Sequence, residues 1–138
     1  MESNKPGIFD IIRIAYPRGS MGVLQYPPSL PIAPVTARWY TAADFADYTE
    51  GLAHYRTNTV IVSLKGTTRV ITESADGTAI FSLKGPDQGL YLPAMTWYEI
   101  ECQESGSTVL EILDTLPDSD DDIKDKTEFE EILKNGIN

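Results

Sequence analysis

The only histidine in the sequence, His54, lies in the segment 51–56 (Gly-Leu-Ala-His-Tyr-Arg), just before an apolar run at 60–64. Imidazole titrates near neutral pH, which suits it to remove and return a proton beside a carbonyl group. One imidazole leaves most coordination positions of a divalent ion to water, so the sequence predicts no metal site. The alternative role for His54 is structural, with its ring bonded to a backbone carbonyl.

Five short motifs follow one another along the chain. They are Arg18-Gly19-Ser20, Arg38-Trp39-Tyr40, the segment 51–54, the pair Leu90-Tyr91-Leu92-Pro93 and Trp97-Tyr98-Glu99, and the acidic stretch 121–129. In this order they resemble the cupin-fold sugar-nucleotide 3,4-ketoisomerases, which act on dTDP-4-keto-6-deoxyglucose. The resemblance covers nearly the whole chain and implies an isomerase of deoxysugar and polysaccharide biosynthesis that uses no cofactor.

Moving a carbonyl group between neighbouring carbons requires a base, a proton donor and a group that holds the enediolate oxygen. The resemblance implies that His54 is the base and that Tyr40 presents its phenol to the oxyanion or relays the proton.

The resemblance also implies a negatively charged nucleoside diphosphate as ligand. Planar guanidinium groups bind phosphates bidentately, which makes Arg18, Arg38 and Arg56 the candidate ligand-binding residues. Trp97 could stack on the thymine or the sugar. The alternatives are ion pairs at the surface or barrel rim for the arginines and a buried packing role for Trp97.

One departure from the family concerns the histidines. The family carries a Gly-x-His-x-His segment, and counting back from Gly66 places His54 at the second histidine and Leu52 at the first. A shifted alignment would place His54 nearer the first position, and the sequence leaves this open. With one imidazole, either the same ring transfers protons at both sugar carbons or a water molecule takes part in the transfer. The alternative function is therefore a noncatalytic cupin that binds a sugar nucleotide or small anion as a sensor or subunit.

Short apolar runs separated by turn residues predict strands at 8–14, 60–64, 69–72, 79–83, 90–92 and 109–113. Asp76-Gly77 predicts a tight hairpin, and four prolines within Tyr26 to Pro34 predict an extended connector. Phe129, Ile132 and Leu133 have the spacing of a short helix. The predicted fold is all-β, a cupin or jelly-roll antiparallel barrel with a short C-terminal helix.

The 138 residues allow one domain, 1–138, in which 117–138 forms an acidic helical tail. A formal charge of −10 opposes binding to nucleic acid, and no stretch approaches the roughly 20 apolar residues of a membrane span. The single cysteine, Cys102, is consistent with the cytoplasm. The exposed edges of a small barrel, together with the resemblance, predict a homodimer.

Overall fold

The computed structural model describes residues 5–42 and 51–136. Antiparallel strands dominate these residues, and a short helix follows them. The elements are β1 (Gly7–Asp10), β2 (Ile12–Tyr16), β3 (Gly19–Val23), β4 (Thr36–Thr41), β5 (Ala53–His54), β6 (Thr59–Lys65), β7 (Thr67–Ser74), β8 (Gly77–Lys84), β9 (Gln88–Leu92), β10 (Trp97–Cys102), β11 (Thr108–Leu113), a 3₁₀ turn (Ser119–Asp121), β12 (Asp122–Ile123) and α1 (Lys126–Lys134).

Two sheets form the body of the fold. One has five strands in the order β1-β9-β6-β11-β4, and the other has three in the order β10-β7-β8. Two further pairs of strands, β12-β5 and β2-β3, form separate two-stranded ribbons. The architecture confirms the predicted all-β jelly roll with a C-terminal helix, although no continuous hydrogen-bonded ladder closes the described strands into a barrel.

The main core lies between the two sheets. Burial alternates residue by residue along β7, as expected for a strand with one face toward a core. Side chains of the five-stranded sheet, among them Ile61 and Val109, pack in one cluster with Val70, Leu83 and Ile100 of the smaller sheet. A side chain two positions along a strand therefore faces the same interior, which decides which residues can meet there.

The connector after β3 covers the opposite face of the five-stranded sheet. Leu30 and Ile32 are buried there against β6 and β11. The chain is not extended throughout, because residues 26–29 form a turn in which the amides of Ser29 and Leu30 donate to the carbonyl of Gln25 at 3.1 and 2.7 Å. The prolines do exclude strand pairing, as predicted, but burial of two apolar side chains favours a turn.

The predicted hairpin is confirmed as β7 and β8. Ser74 pairs with Gly77, so that Ala75 and Asp76 form the two-residue loop. Gly77 has a φ of +110°, a value that other residues rarely adopt. The glycine therefore permits the return of the chain at this position.

The helix α1 packs beside the β5–β12 ribbon. Asp125 caps it by accepting hydrogen bonds from the amides of Thr127 and Glu128 at 2.9 and 3.4 Å. Phe129 is fully buried in a cluster with Ala53 and Ile123, one residue from each strand of the ribbon. The helix thus fixes the ribbon that carries His54. No helix in the described ranges has the length and hydropathy to cross a membrane.

Candidate functional site

A cavity of about 460 Å³ opens at the interior face of β4, β10 and β11. Its size lies in the usual range for small-molecule sites. The lining combines charged, phenolic and apolar groups: Arg38, Tyr40, Gly51, Leu52, Tyr98, Ile100, Glu111 and Lys124. Of the residues predicted for ligand binding or catalysis, Arg38 and Tyr40 are in this lining.

Arg38 and Tyr40 face the cavity together because they are two residues apart on β4. Trp39, between them, points to the other face and is 69% exposed. Arg38 lies opposite Glu111 of β11, and its Nη2 and Nε approach Glu111 Oε1 at 2.8 and 2.9 Å. Burial lowers the pKa of Arg38, but the charge and hydrogen bond of Glu111, together with smaller effects of Tyr98 and Asp122, raise that pKa by more. The guanidinium is therefore held as a cation at the cavity wall.

Tyr98 and Trp97 lie on opposite faces of β10, by the same alternation. Trp97 is buried on the face that meets α1, with its ring 5.9 Å from Phe129 and its indole N–H donating to Glu99 at 2.9 Å. The ring also lies against Gly51, where a Cβ atom would overlap it. Trp97 thus supports the cavity from behind and is not among the lining residues; its stacking role stays a prediction.

His54 is buried behind the large cavity. It lines a neighbouring cavity of about 50 Å³, and Arg38 and Leu52 line both. Its Nδ1 lies 3.0 Å from Asp122 Oδ1, and its Nε2 lies 3.4 Å from the Tyr98 hydroxyl. A carboxylate only accepts hydrogen bonds, which assigns the ring proton to Nδ1. Nε2 is then an acceptor that faces the hydroxyl of Tyr98.

Tyr98 contacts this imidazole and also lines the large cavity. Its backbone pairs with Leu52 through two hydrogen bonds, of 3.1 and 2.9 Å, which fix the strand next to His54. Burial raises the pKa of the Tyr98 phenol, and the negative charge of Glu111 raises it further. The hydroxyl therefore stays protonated at neutral pH and is available as a donor.

The other two predicted arginines are elsewhere. Arg18 is exposed in the turn between β2 and β3. Arg56 is 66% exposed, with its nitrogens 3.8 Å from Asp121 and 3.9 Å from Asp118. Neither lines the large cavity, whereas Arg38 does. The structure thus gathers Arg38 and Tyr40, with His54 adjacent, and separates them from Arg18 and Arg56.

Several residues of the site were not singled out from the sequence. Tyr98 is one of them, although its position next to Trp97 on an alternating strand indicates that it faces the other way from Trp97. Glu111 pairs with Arg38 and Asp122 pairs with His54, and both pairs join segments that are far apart in the sequence. Lys124 is exposed at the cavity and adds a second cation to the lining. Within the described ranges, no three His, Cys, Asp or Glu side chains form a metal-ligating group.

The sequence matches the family model described as "FdtA: WxcM-like, C-terminal" over residues 4–134. The chain belongs to this family. A search of curated proteins finds no significant match.

Solved structures support the fold independently. A 3,4-ketoisomerase from Helicobacter canadensis has a TM-score of 0.88 at 17% identity, covering 96% of this chain and 99% of that one. QdtA, a sugar 3,4-ketoisomerase from Thermoanaerobacterium thermosaccharolyticum solved with TDP, has a TM-score of 0.88 at 20% identity, with 98% of both chains covered. The TDP-quinovose 3,4-ketoisomerase WlaRB from Campylobacter jejuni has a TM-score of 0.84 at 21% identity, with 92% and 98% covered. This chain therefore has the same fold over nearly its whole length.

Proposed function

We propose that this protein is a sugar-nucleotide 3,4-ketoisomerase that acts on a dTDP-linked 4-keto-6-deoxyhexose. The observation that carries the proposal is the cavity in which the cationic Arg38 and the phenols of Tyr40 and Tyr98 meet, with His54 adjacent. The family and the 3,4-ketoisomerases of the same fold support this assignment. The matched structure solved with TDP supports a sugar nucleotide as the ligand.

The proposed reaction is proton transfer through an enediolate, without a metal ion. His54 is the base, and Asp122 stabilises the imidazolium that forms when His54 accepts a proton. Tyr40 donates to the carbonyl oxygen as negative charge develops there, and it takes the hydroxyl proton from the neighbouring oxygen. The carbon-bound proton and the hydroxyl proton then both move by one position, and no redox equivalent is needed.

The diphosphate is proposed to meet the cationic side of the cavity. Arg38 keeps N–H groups beyond those bonded to Glu111, since a guanidinium has five. Lys124 is exposed at the same cavity and adds a second positive charge. Arg18, Arg56 and Trp97 remain proposed contacts for parts of the ligand that extend outside the cavity.

A second candidate function is noncatalytic binding of a sugar nucleotide or small anion, as a sensor or subunit. Leu52 favours it, because this apolar side chain lines the large cavity whereas the imidazole of His54 lines only the small one. A site that binds without proton transfer would keep Arg38 and tolerate the loss of a base.

Proton exchange separates the two functions. The protein is incubated with dTDP-4-keto-6-deoxyglucose in heavy water, and the sugar-ring hydrogens and the 3-keto product are followed by NMR. An isomerase incorporates deuterium and forms product, and His54→Asn abolishes both while dTDP affinity stays within about threefold. Calorimetric binding of dTDP with no exchange would instead assign the noncatalytic function. Exchange that persists in His54→Asn would remove His54 from the mechanism.

We also propose that the protein is a cytoplasmic homodimer formed through the β2–β3 ribbon. Ile12, Ile14 and Tyr16 share one face of β2, and Met21 lies opposite Ile14; all four are 42–53% exposed. A two-stranded ribbon is marginal alone, so a second copy is the proposed cover. Light scattering should give a dimer that Ile14→Lys converts to a monomer and Ala15→Lys, on the opposite face, does not. A monomeric wild type would contradict this.

A further inference from the structure

The imidazole that the proposed function needs does not itself line the large cavity. His54 and Tyr98 are both buried, but the cavity that His54 lines, about 50 Å³, is too small for a sugar nucleotide. Tyr98 lines the large cavity, and its hydroxyl lies 3.4 Å from His54 Nε2, within hydrogen-bond distance. A proton that moves between a ligand in the large cavity and His54 would pass this hydroxyl.

We propose that Tyr98 is a catalytic residue that carries the ring proton between the sugar and His54. This inference rests on the proposed ketoisomerase function and changes which residue exchanges a proton with the sugar carbon. His54 stores the proton, Asp122 positions the imidazole, and the phenol of Tyr98 touches the sugar carbon. One relay then serves both carbons, which answers how a chain with a single histidine could isomerise the sugar.

The step balances as follows. The C3–H bond breaks and its proton bonds to Tyr98 Oη, while the original phenolic proton leaves Oη for His54 Nε2. The electron pair of the C3–H bond becomes the double bond of the enediolate, and the imidazolium lies opposite Asp122. In the second half, Nε2 returns a proton to Oη as Oη gives one to C4. Tyr98 and His54 end in their starting states, and no oxidant or reductant is consumed.

The surroundings of Tyr98 suit a relay better than a free base. Burial and the charge of Glu111 raise the pKa of the phenol, so a lasting phenolate is unfavourable. A neutral hydroxyl that loses one proton as it gains another avoids that charge. The two rings are tilted by 47° with centroids 6.2 Å apart, and the two main-chain bonds between Leu52 and Tyr98 fix the strands that carry them. The 3.4 Å contact is long, and catalytic hydrogen bonds often tighten only when substrate binds.

The test compares Tyr98→Phe with wild type and with Tyr91→Phe in the heavy-water exchange assay. Tyr91 packs on the other side of the five-stranded sheet, so its substitution controls for loss of a tyrosine hydroxyl. Tyr98→Phe should slow exchange at both carbons by about 100-fold or more, while dTDP affinity stays within about threefold and Tyr91→Phe keeps the wild-type rate. Asp122→Asn should lower kcat by about 10- to 100-fold with KM unchanged, and Asp122→Glu should restore part of the loss.

The outcomes are distinguishable. If wild type isomerises the sugar and folded Tyr98→Phe retains its rate, the relay is wrong and the ketoisomerase function stands. If wild type binds dTDP but exchanges nothing, the proposed function fails and the relay fails with it. A measurement on the resting wild-type protein serves even if Tyr98→Phe does not fold. Because the chain has one histidine, ¹⁵N NMR reports His54 alone, and it should show the proton on Nδ1. A proton on Nε2 would overturn the relay.

Discussion

Replacement of Leu52 by histidine should increase catalysis. Leu52 and His54 are two residues apart and face the same side, so a new imidazole would lie about 7 Å along the strand, at the large cavity. There it could reach a sugar carbon without Tyr98 as intermediary. The backbone of residue 52 pairs with Tyr98 through main-chain atoms alone, so the substitution leaves that pairing in place.

The magnitudes favour a measurable gain. Leu52 is half-buried, and exchange of its side chain for imidazole should cost about 1–2 kcal/mol of the free energy of unfolding. A domain with about 5–15 kcal/mol of stability stays almost entirely folded after this loss. A positioned general base contributes about 10²- to 10⁴-fold to the rate, or about 3–5 kcal/mol of the barrier. The rate effect therefore exceeds the effect on the folded population.

The assay is deuterium incorporation into dTDP-4-keto-6-deoxyglucose, with Leu52→Gln as the matched control. Glutamine introduces polarity at the same position but does not titrate near neutral pH. Leu52→His should exchange at least about tenfold faster than wild type, and Leu52→Gln should not. Equal exchange rates in the two variants, with dTDP binding intact in both, would refute the prediction that a base at residue 52 increases the rate.

Three further predictions concern other parts of the molecule. Burial raises the pKa of Tyr98 above its ordinary value of 10.0, so the stability that its neutral form contributes is complete below pH 10 and is lost as the pH rises further. The urea concentration at the midpoint of unfolding should therefore fall above pH 10, and it should fall less in Tyr98→Phe. Arg38→Gln should weaken dTDP binding about tenfold by calorimetry, and Arg69→Gln should leave it unchanged. Arg69 is a matched control because its side chain is also ion-paired and is 43% exposed, against 44% for Arg38. Phe129→Ala should lower the free energy of unfolding by about 3–5 kcal/mol in urea titrations, since Phe129 is fully buried; a loss under about 1 kcal/mol would contradict the bracing role of α1.

The sequence was informative where one local rule decided the structure. Short apolar runs predicted strands at 60–64, 69–72, 79–83, 90–92 and 109–113, whereas the run at 8–14 is divided at Ile11 between β1 and β2, which belong to different sheets. The Asp76-Gly77 pair predicted the hairpin, and the spacing of Phe129, Ile132 and Leu133 predicted the helix. These features depend on neighbours within a few residues. The connector over 26–34 was less predictable, because the turn there depends on burial of Leu30 and Ile32 against strands far along the chain.

The candidate site was predictable only in part, for the same physical reason. Arg38 and Tyr40 share a face because side chains alternate along a strand, and this follows once residues 36–41 are recognised as a strand. No local pattern distinguishes Tyr98 from a tyrosine that only packs in the core. Its contact with His54 joins residues 44 positions apart, and that between His54 and Asp122 joins residues 68 apart. Such partners follow from tertiary packing rather than from any local pattern.

Because Asp122 pairs with His54, the proposed proton transfer depends on a segment near the last element of the fold. Asp122 follows a 3₁₀ turn and precedes α1, so the carboxylate reaches the ring only when this short stretch is docked. Small units of this kind open at lower free energy than the sheets that they cover. Heating or mild denaturant should therefore abolish the proposed isomerase activity before the two main sheets unfold. Amide hydrogen exchange at residues 121–123 should increase under the same conditions.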